Sequence, residues 1–263
     1  MIVFILGLPG SGKSSAARYI ELCVSKHSNG WSTERKNDYA ILKHMCYIEK
    51  DERLYPTEDG GFNILYDSAF DEALLRLERK ILKVQEESGS KDQLITIEFS
   101  RNDYSIALEK FFFEIFENFH ESTYFLFIET AIDVCKERIQ KRISKPVSCR
   151  SIDDHPVSEY IFERYYKRDE QRYCDTVVKR LQERFSIPDS HFQIVQNSEL
   201  AEKDFQKQVG MLVEAILSEQ IRARSSTLPQ SRRVELEQHI AENEAESEVP
   251  VSSTKVLAEA IPA

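Results

Sequence analysis

Glycine is scarce in this chain, with 8 in 263 residues, and three of the eight (Gly7, Gly10 and Gly12) fall inside one short stretch. Backbone freedom is therefore concentrated at a single place. Long apolar runs are missing: nothing approaches the roughly 18 residues that a membrane-spanning helix needs. The run Ile2-Val3-Phe4-Ile5-Leu6 is short, has no basic segment before it and ends in the glycine stretch. It reads as a strand rather than as an export signal. The five cysteines (Cys23, Cys46, Cys135, Cys149 and Cys174) are odd in number and contain no C-x-x-C pair. Neither a disulfide framework nor a zinc site is expected, and a reducing, cytoplasmic setting follows. Basic charge is also in deficit, 35 Lys and Arg against 45 Asp and Glu, for a net charge of -10. That balance argues against a general affinity for nucleic acid or anionic membrane, without excluding a local basic cleft. With 41% apolar residues the chain can still bury a sizeable core.

Apolar periodicity gives the organisation. Ile2 to Leu6 is a continuous apolar run of the kind a buried parallel strand shows. Ala16, Ile20, Cys23 and Val24 follow at helical spacing. A second strand is placed at Tyr39 to Leu42. Phe70, Leu74, Leu77, Ile81 and Val84 mark a helix face, and Leu94 to Phe99 a strand with an acid, Glu98, near its C-terminal end. Ile106 to Phe116 reads as helix, Tyr124 to Ile128 as strand, and Ile132 to Ile143 as helix. One long helix is expected from Pro156 to Phe185, with the proline in its first turn. His191 to Val195 and Leu200 to Leu217 complete the pattern as strand and helix. Strands alternating with helices imply an α/β fold with a parallel sheet. Residues 222–263 lack aromatic residues and periodicity, so a disordered tail is expected after a domain of residues 1–221.

The glycine stretch carries the sharpest signal. Gly7-Leu8-Pro9-Gly10-Ser11-Gly12-Lys13-Ser14 fits G-x-x-x-x-G-K-[ST], between a strand and a helix as that motif requires. Such a loop turns backbone N–H groups inward around a β-phosphate, and the following helix N-terminus adds its positive end. Lys13 would neutralise phosphate oxygens and the Ser14 hydroxyl would ligate Mg²⁺. A guanine-reading N-K-x-D and an L-S-G-G signature are both missing from the chain. The strand ending Ile97-Glu98-Phe99-Ser100-Arg101 offers one acid rather than an Asp-Glu pair.

Four segments together resemble the nucleoside-monophosphate-kinase-like group of phosphate-loop kinases, which includes the adenylate-kinase-like enzymes. These are Gly7 to Ser14, Ile97 to Arg101, Tyr124 to Arg142 with its Cys135-x-x-Arg138-x-x-x-Arg142 pattern, and Ile194-Val195-Gln196-Asn197. The resemblance implies a three-layer phosphate-loop NTP hydrolase fold around a five-stranded parallel sheet, with an acceptor-site insertion at about 28–66 and a helical lid at about 138–170. It implies ATP and Mg²⁺ as cofactors. ATP would lie on Gly7 to Ser15 with Asn197 near the base, and Mg²⁺ on Ser14 and Glu98. Lys13, Arg138 and Arg142 would act on the transferring phosphoryl group, while Arg101 would hold the acceptor.

Residues outside these motifs admit two readings each. Basic residues dominate Lys136 to Arg150, with Glu137 the sole acid, which suits a lid closing on ATP as well as a solvated face. Asp153-Asp154-His155-Pro156 is read first as helix initiation, with contact to an acceptor as the alternative. Arg164, Arg168 and Arg172 form a salt-bridged stripe or supply a lid arginine. Phe111, Phe112, Phe113, Phe116 and Phe119 are assigned to the core. For the acceptor, Asp38 and Asp51 are candidate bases if a hydroxyl is phosphorylated. Arg53 and Arg101 suit an acceptor phosphate.

The expectation is ATP- and Mg²⁺-dependent phosphoryl transfer to a small molecule, a nucleotide or nucleoside first among the acceptors. An ATP-binding switch with weak ATPase activity, recruiting a protein partner through its tail, is the competing reading. Kinase action on nucleic-acid ends is the third, and the overall charge disfavours it.

Overall fold

The computed structural model describes residues 1–27, 30–88, 92–101, 103–145, 149, 151, 153–166 and 173–227. The chain divides into two units, Met1–Val213 and Glu214–Ala263. The first holds strand β1 (Ile2–Gly7), helix α1 (Lys13–His27), β2 (Ser32–Asn37), α2 (Asp38–His44) and a hairpin of β3 (Leu54–Pro56) with β4 (Phe62–Ile64). There follow α3 (Ser68–Ser88), β5 (Gln93–Phe99), α4 (Tyr104–Phe111), α5 (Phe113–Phe119), β6 (Thr123–Glu129) and α6 (Ile132–Ile143). Then come α7 (Glu159–Tyr165), α8 (Tyr173–Phe185), β7 (Phe192–Gln196) and α9 (Glu202–Thr227), which runs on into the second unit. Among the described residues no helix is long and apolar enough to cross a membrane.

Five strands form one parallel sheet in the order β2-β5-β1-β6-β7. The class is therefore α/β, with the expected central five-stranded parallel sheet and the glycine loop leaving the C-terminal end of its middle strand. Residues 2–6 of β1 are each at most 1% exposed, which is why that strand is an uninterrupted apolar run. Phe4 pairs with Ile97 on one side and Phe125 on the other. Its ring packs at 5.1 Å from Phe112 and 5.3 Å from Phe125. Phe111, Phe112 and Phe116 are core residues as expected, while Phe113 is exposed beneath the Arg184 guanidinium.

Several boundaries differ from the sequence reading, each for a local reason. The second strand is not Tyr39 to Leu42, which lies in α2. It is the polar segment Ser32–Asn37, an edge strand with a single neighbour that needs no apolar run. Asn37 ends it and starts α2, its Oδ1 accepting from Ala40 N at 2.8 Å. The helix expected over Ile106 to Phe116 breaks at Phe112 (φ -128°), whose ring is drawn into the core.

The long helix from Pro156 is likewise absent as one piece. Its first part, α7, begins only at Glu159, where Ser158 Oγ accepts from Ile161 N at 3.3 Å, and it ends at Tyr166. Residues 153–156 therefore initiate no helix. In the last helix, residues 222–227 are helical rather than part of an irregular tail. Residues 228–263 lie outside the described residues, as do Arg150, Arg168 and Arg172.

Candidate functional site

The loop between β1 and α1 is shaped by glycines that no other residue could replace without displacement. Gly10 (φ +85°) faces Cys135 O, which a Cβ would meet at 2.6 Å. Gly12 (φ +114°) faces Asn197 Nδ2, where the distance would be 2.7 Å. Asn197 is buried, and its Nδ2 donates to Ser11 O at 2.6 Å. Arg138, on α6, donates to Asn197 O at 2.8 Å and to Ser11 O at 3.4 Å. Both residues thus brace the loop from behind. Tyr104 clamps its first residue, with Gly7 N donating to the phenol oxygen at 2.8 Å. No motif pointed to Tyr104.

Lys13 Nζ lies across the loop and donates to Gly7 O, Leu8 O and Ser100 Oγ at 2.8, 2.8 and 2.7 Å. Burial pushes its pKa down to about 8, against the opposing pull of Glu98 and Asp38. Ser14 Oγ donates to Glu98 Oε2 at 3.0 Å, so the two proposed metal ligands meet. Glu98 is 4% exposed and also accepts from Arg35 Nε.

Arg35 continues to Asp153, where its Nη2 donates to Oδ1 at 2.7 Å, and Arg18 from α1 joins the same carboxylate. Burial works against the charge on Asp153, and Arg35 and Arg18 outweigh it, holding the carboxyl below its ordinary range. This is the role of the Asp153 segment that sequence reading did not find.

Mg²⁺ and a triphosphate fit these residues. Ser11 Oγ is buried in the loop without a hydrogen-bond partner among the described residues, as a cradle for phosphate oxygens would leave it. The Ser14–Glu98 pair offers two hard oxygen donors, and Mg²⁺ on nucleotides takes most of its other ligands from water and phosphate. No cluster of three or more His, Cys, Asp or Glu suited to a metal occurs among the described residues, and such a site needs none.

Two cavities open on the loop. The larger, of about 470 Å³, is lined by Tyr19, Arg138, Asn197 and Phe205. The smaller, of about 110 Å³, is lined by Asp38, Tyr39, Phe62 and His155 together with Lys13, Ser14 and Glu98. Gly10, Gly12 and Arg142 border both. The Arg142 side chain makes no hydrogen bond or ion pair among the described residues. Burial pulls its pKa below the usual guanidinium value against the charge of Asp154 and Asp153, with Arg138 and Arg18 adding to the lowering.

Arg101 stands behind the smaller cavity rather than in it. Its Nη1 donates to Asp38 Oδ2 at 2.7 Å and to Ser100 O at 2.6 Å, and its guanidinium lies 4.2 Å above the Phe70 ring. Arg53 is bound to Asp51, with Nη2 to Oδ2 at 2.6 Å. Neither Arg53 nor Asp51 lines either cavity. Tyr39 and His155 do line the smaller one, stacked with centroids 3.9 Å apart. Burial drives the His155 pKa down to about 4. The basic segment after residue 136 is partly neutralised, with Lys136 on Glu163 at 2.8 Å and Lys145 near Asp154 at 3.5 Å.

No family model and no curated protein matches the chain. Solved structures similar to it include Kti12 from Chaetomium thermophilum in complex with ADP-AlF3, at 15% identity and TM-score 0.49, covering 83% of this chain and 98% of that one. A sugar kinase from Janibacter sp. HTCC2649 shows 14% identity and TM-score 0.41 over 82% and 92%. A shikimate kinase from Acinetobacter baumannii bound to shikimate shows 9% and 0.39 over 81% and 93%. The likeness concerns the course of the chain, and the site is read from its own residues.

Proposed function

We propose that the protein transfers the γ-phosphoryl group of Mg·ATP to a hydroxyl of a small molecule held in the smaller cavity. The observation that carries this reading is the placement of one phosphate loop between two cavities, with Gly10, Gly12 and Arg142 bordering both. A nucleotide in the larger cavity would point its terminal phosphate at the smaller one. Tyr19 and Phe205 offer apolar surface for a base there, and Asn197 a polar edge.

Within this reading the residues divide the work. The loop N–H groups and Lys13 hold the phosphates, and Ser14 with Glu98 would hold Mg²⁺, which neutralises the charge spread over the moving group. Arg142, whose side chain makes no hydrogen bond or ion pair among the described residues, supplies the positive charge on the other side. Asp38 lines the acceptor cavity with its Oδ2 fixed by Arg101, which leaves Oδ1 to act as base. The acceptor O–H proton passes to Asp38, the acceptor oxygen bonds the γ-phosphorus, and the bond to the β–γ bridging oxygen breaks to release ADP. Arg138 and Arg101 act through other groups, the first bracing the loop and the second positioning Asp38.

The test is ADP formation from Mg·ATP by the full chain, against hydroxyl-bearing and phosphate-bearing acceptors. Stimulation by a hydroxyl compound, lost in Lys13→Ala and in Asp38→Asn, is the expected result. ATP binding with a rate that no acceptor raises would sink the transfer reading in favour of an ATP-dependent switch.

A further inference from the structure

We propose that the acceptor is a small, uncharged, largely apolar molecule built on a single ring and bearing one reactive hydroxyl, and that sugars and phosphorylated acceptors are refused. This rests on the transfer reading above and adds to it the class of molecule that enters.

The first ground is the disposition of positive charge. An acceptor phosphate needs at least one guanidinium or ammonium of its own. Among the described residues, three arginines of the acceptor side are committed to carboxylates: Arg35 to Glu98 and Asp153, Arg53 to Asp51, Arg101 to Asp38. Of the described residues only Lys13 and Arg142 bring positive charge to the lining; Lys13 Nζ lies on the loop carbonyls, and Arg142 also borders the larger cavity. A second anion beside ATP would therefore find no guanidinium of its own, because those nearest to it already serve Asp38 and Glu98.

The second ground is the wall. Leu42, Phe62, Ile64, Phe70, Ile139 and Ile161 line the cavity, all well buried. Its volume of about 110 Å³ is smaller than the ~150 Å³ of an engineered apolar cavity that takes benzene. Such a space admits at most one small ring, and a nucleoside with its separate base and sugar exceeds it. Apolar walls also disfavour a sugar, whose several hydroxyls would lose their water without replacement.

The third ground is polar. Tyr39 lines the cavity, and its hydroxyl is buried with no hydrogen-bond partner among the described residues. Leaving such a group unmade costs about 1–3 kcal/mol, so the site gains when a ligand oxygen meets it. His155, stacked on Tyr39 and kept neutral by burial, adds one further polar edge without adding charge. One hydroxyl near Asp38 and one oxygen near Tyr39 match this pattern.

The experiment measures binding first, without ATP, so that it does not depend on turnover. Isothermal titration of the full chain is run with benzyl alcohol and cyclohexylmethanol, and with AMP, benzoate and glucose. The ring alcohols should bind at least tenfold more tightly than the other three. Tyr39→Phe, which removes only the unpartnered oxygen, should weaken benzyl alcohol about tenfold and leave toluene unchanged. The proposal is overturned if AMP, benzoate or glucose binds as well as the alcohols, if neither alcohol binds, or if Tyr39→Phe leaves benzyl alcohol unaffected. ADP formation is then measured with the same compounds. Ring alcohols that bind without yielding ADP would uphold the acceptor class and remove phosphoryl transfer. Stimulation by AMP alone would do the reverse.

Discussion

Arg35 Nη2 donates to Asp153 Oδ1 at 2.7 Å, joining the sheet edge to a loop 118 positions further along the chain. The same guanidinium bonds Glu98, and Glu98 accepts from Ser14. A continuous polar path therefore runs from the proposed metal ligands to the segment after α6. Glu98 and Asp153 are both nearly buried, and Arg35 is the cation they share. Arg35→Met should cost about 3 kcal/mol, because it leaves buried carboxylates short of a partner. A urea midpoint equal to that of the parent protein would show that the path contributes nothing to stability.

Arg142 should behave in the opposite way. It has no protein partner among the described residues and borders both cavities, so its charge is held for a ligand. Arg142→Gln should lower kcat by about 10²–10³, as loss of one charge-stabilising group does, with ATP affinity changed only a few-fold. Its stability should stay within about 0.5 kcal/mol of the parent or rise, since a desolvated cation is removed. Equal losses in kcat and ATP affinity would instead mark Arg142 as a simple binding residue.

Two half-buried groups should tilt the pH dependence of stability in opposite directions. Burial lowers His155 from its ordinary 6.5 to about 4, so between those values the unfolded chain binds the extra proton. Stability from this source falls as pH falls through that window. Glu78 is raised from 4.5 to about 7 by burial and by the charge of Glu114, against backbone hydrogen bonds from Glu114 and Ile115, and its Oε1 has no partner among the described residues. Here the folded chain binds the extra proton, and stability falls as pH rises through that window. From about pH 4.5 to 6.5 the two slopes oppose each other, each at most about 1.4 kcal/mol per pH unit. Glu78→Gln should expose a loss of stability on acidification, and His155→Gln a loss on moving towards neutrality. Urea titrations of both variants over that range check this, and slopes of the same sign would refute it.

How much of this was legible beforehand depended on how local each constraint is. The loop from Gly7 to Ser14 could be read because its backbone demands fall on contiguous residues. Strands β1, β5 and β6 are covered on both faces, and their sequences show it as unbroken apolar runs. The edge strand β2 is half solvated, so Ser32–Asn37 carries no such mark, and the apolar residues of α2 were taken in its place. For Asp153 and His155 the sequence favours helix initiation as the first reading, and acceptor contact, the alternative, is the one nearer to His155, which lines the smaller cavity. Their partners, Arg18, Arg35 and Tyr39, are more than a hundred positions away, and nothing in the local pattern distinguishes such acids from those that start a helix. Arg101 was expected in the acceptor site because it follows a strand end. That it serves Asp38 instead depends on where α2 begins, which the sequence pattern missed.

Lys13 offers a measurement of the loop itself. Its ammonium is desolvated, and its pKa of about 8 means that at pH 8 about half of the free protein carries a neutral amine there. A triphosphate beside Nζ favours the charged form, so binding must draw a proton from solution. Uptake of about half a proton is expected at pH 8 and close to none at pH 6, where the amine is already charged. Calorimetric titration of Mg·ATP in HEPES and in Tris reads this directly, because the two buffers release different heat on giving up a proton. Lys13→Met should abolish the difference between buffers at pH 8. Heats that agree in both buffers for the parent protein would mean that Lys13 is fully charged before ATP arrives, and that burial beneath the loop costs it far less than its surroundings imply.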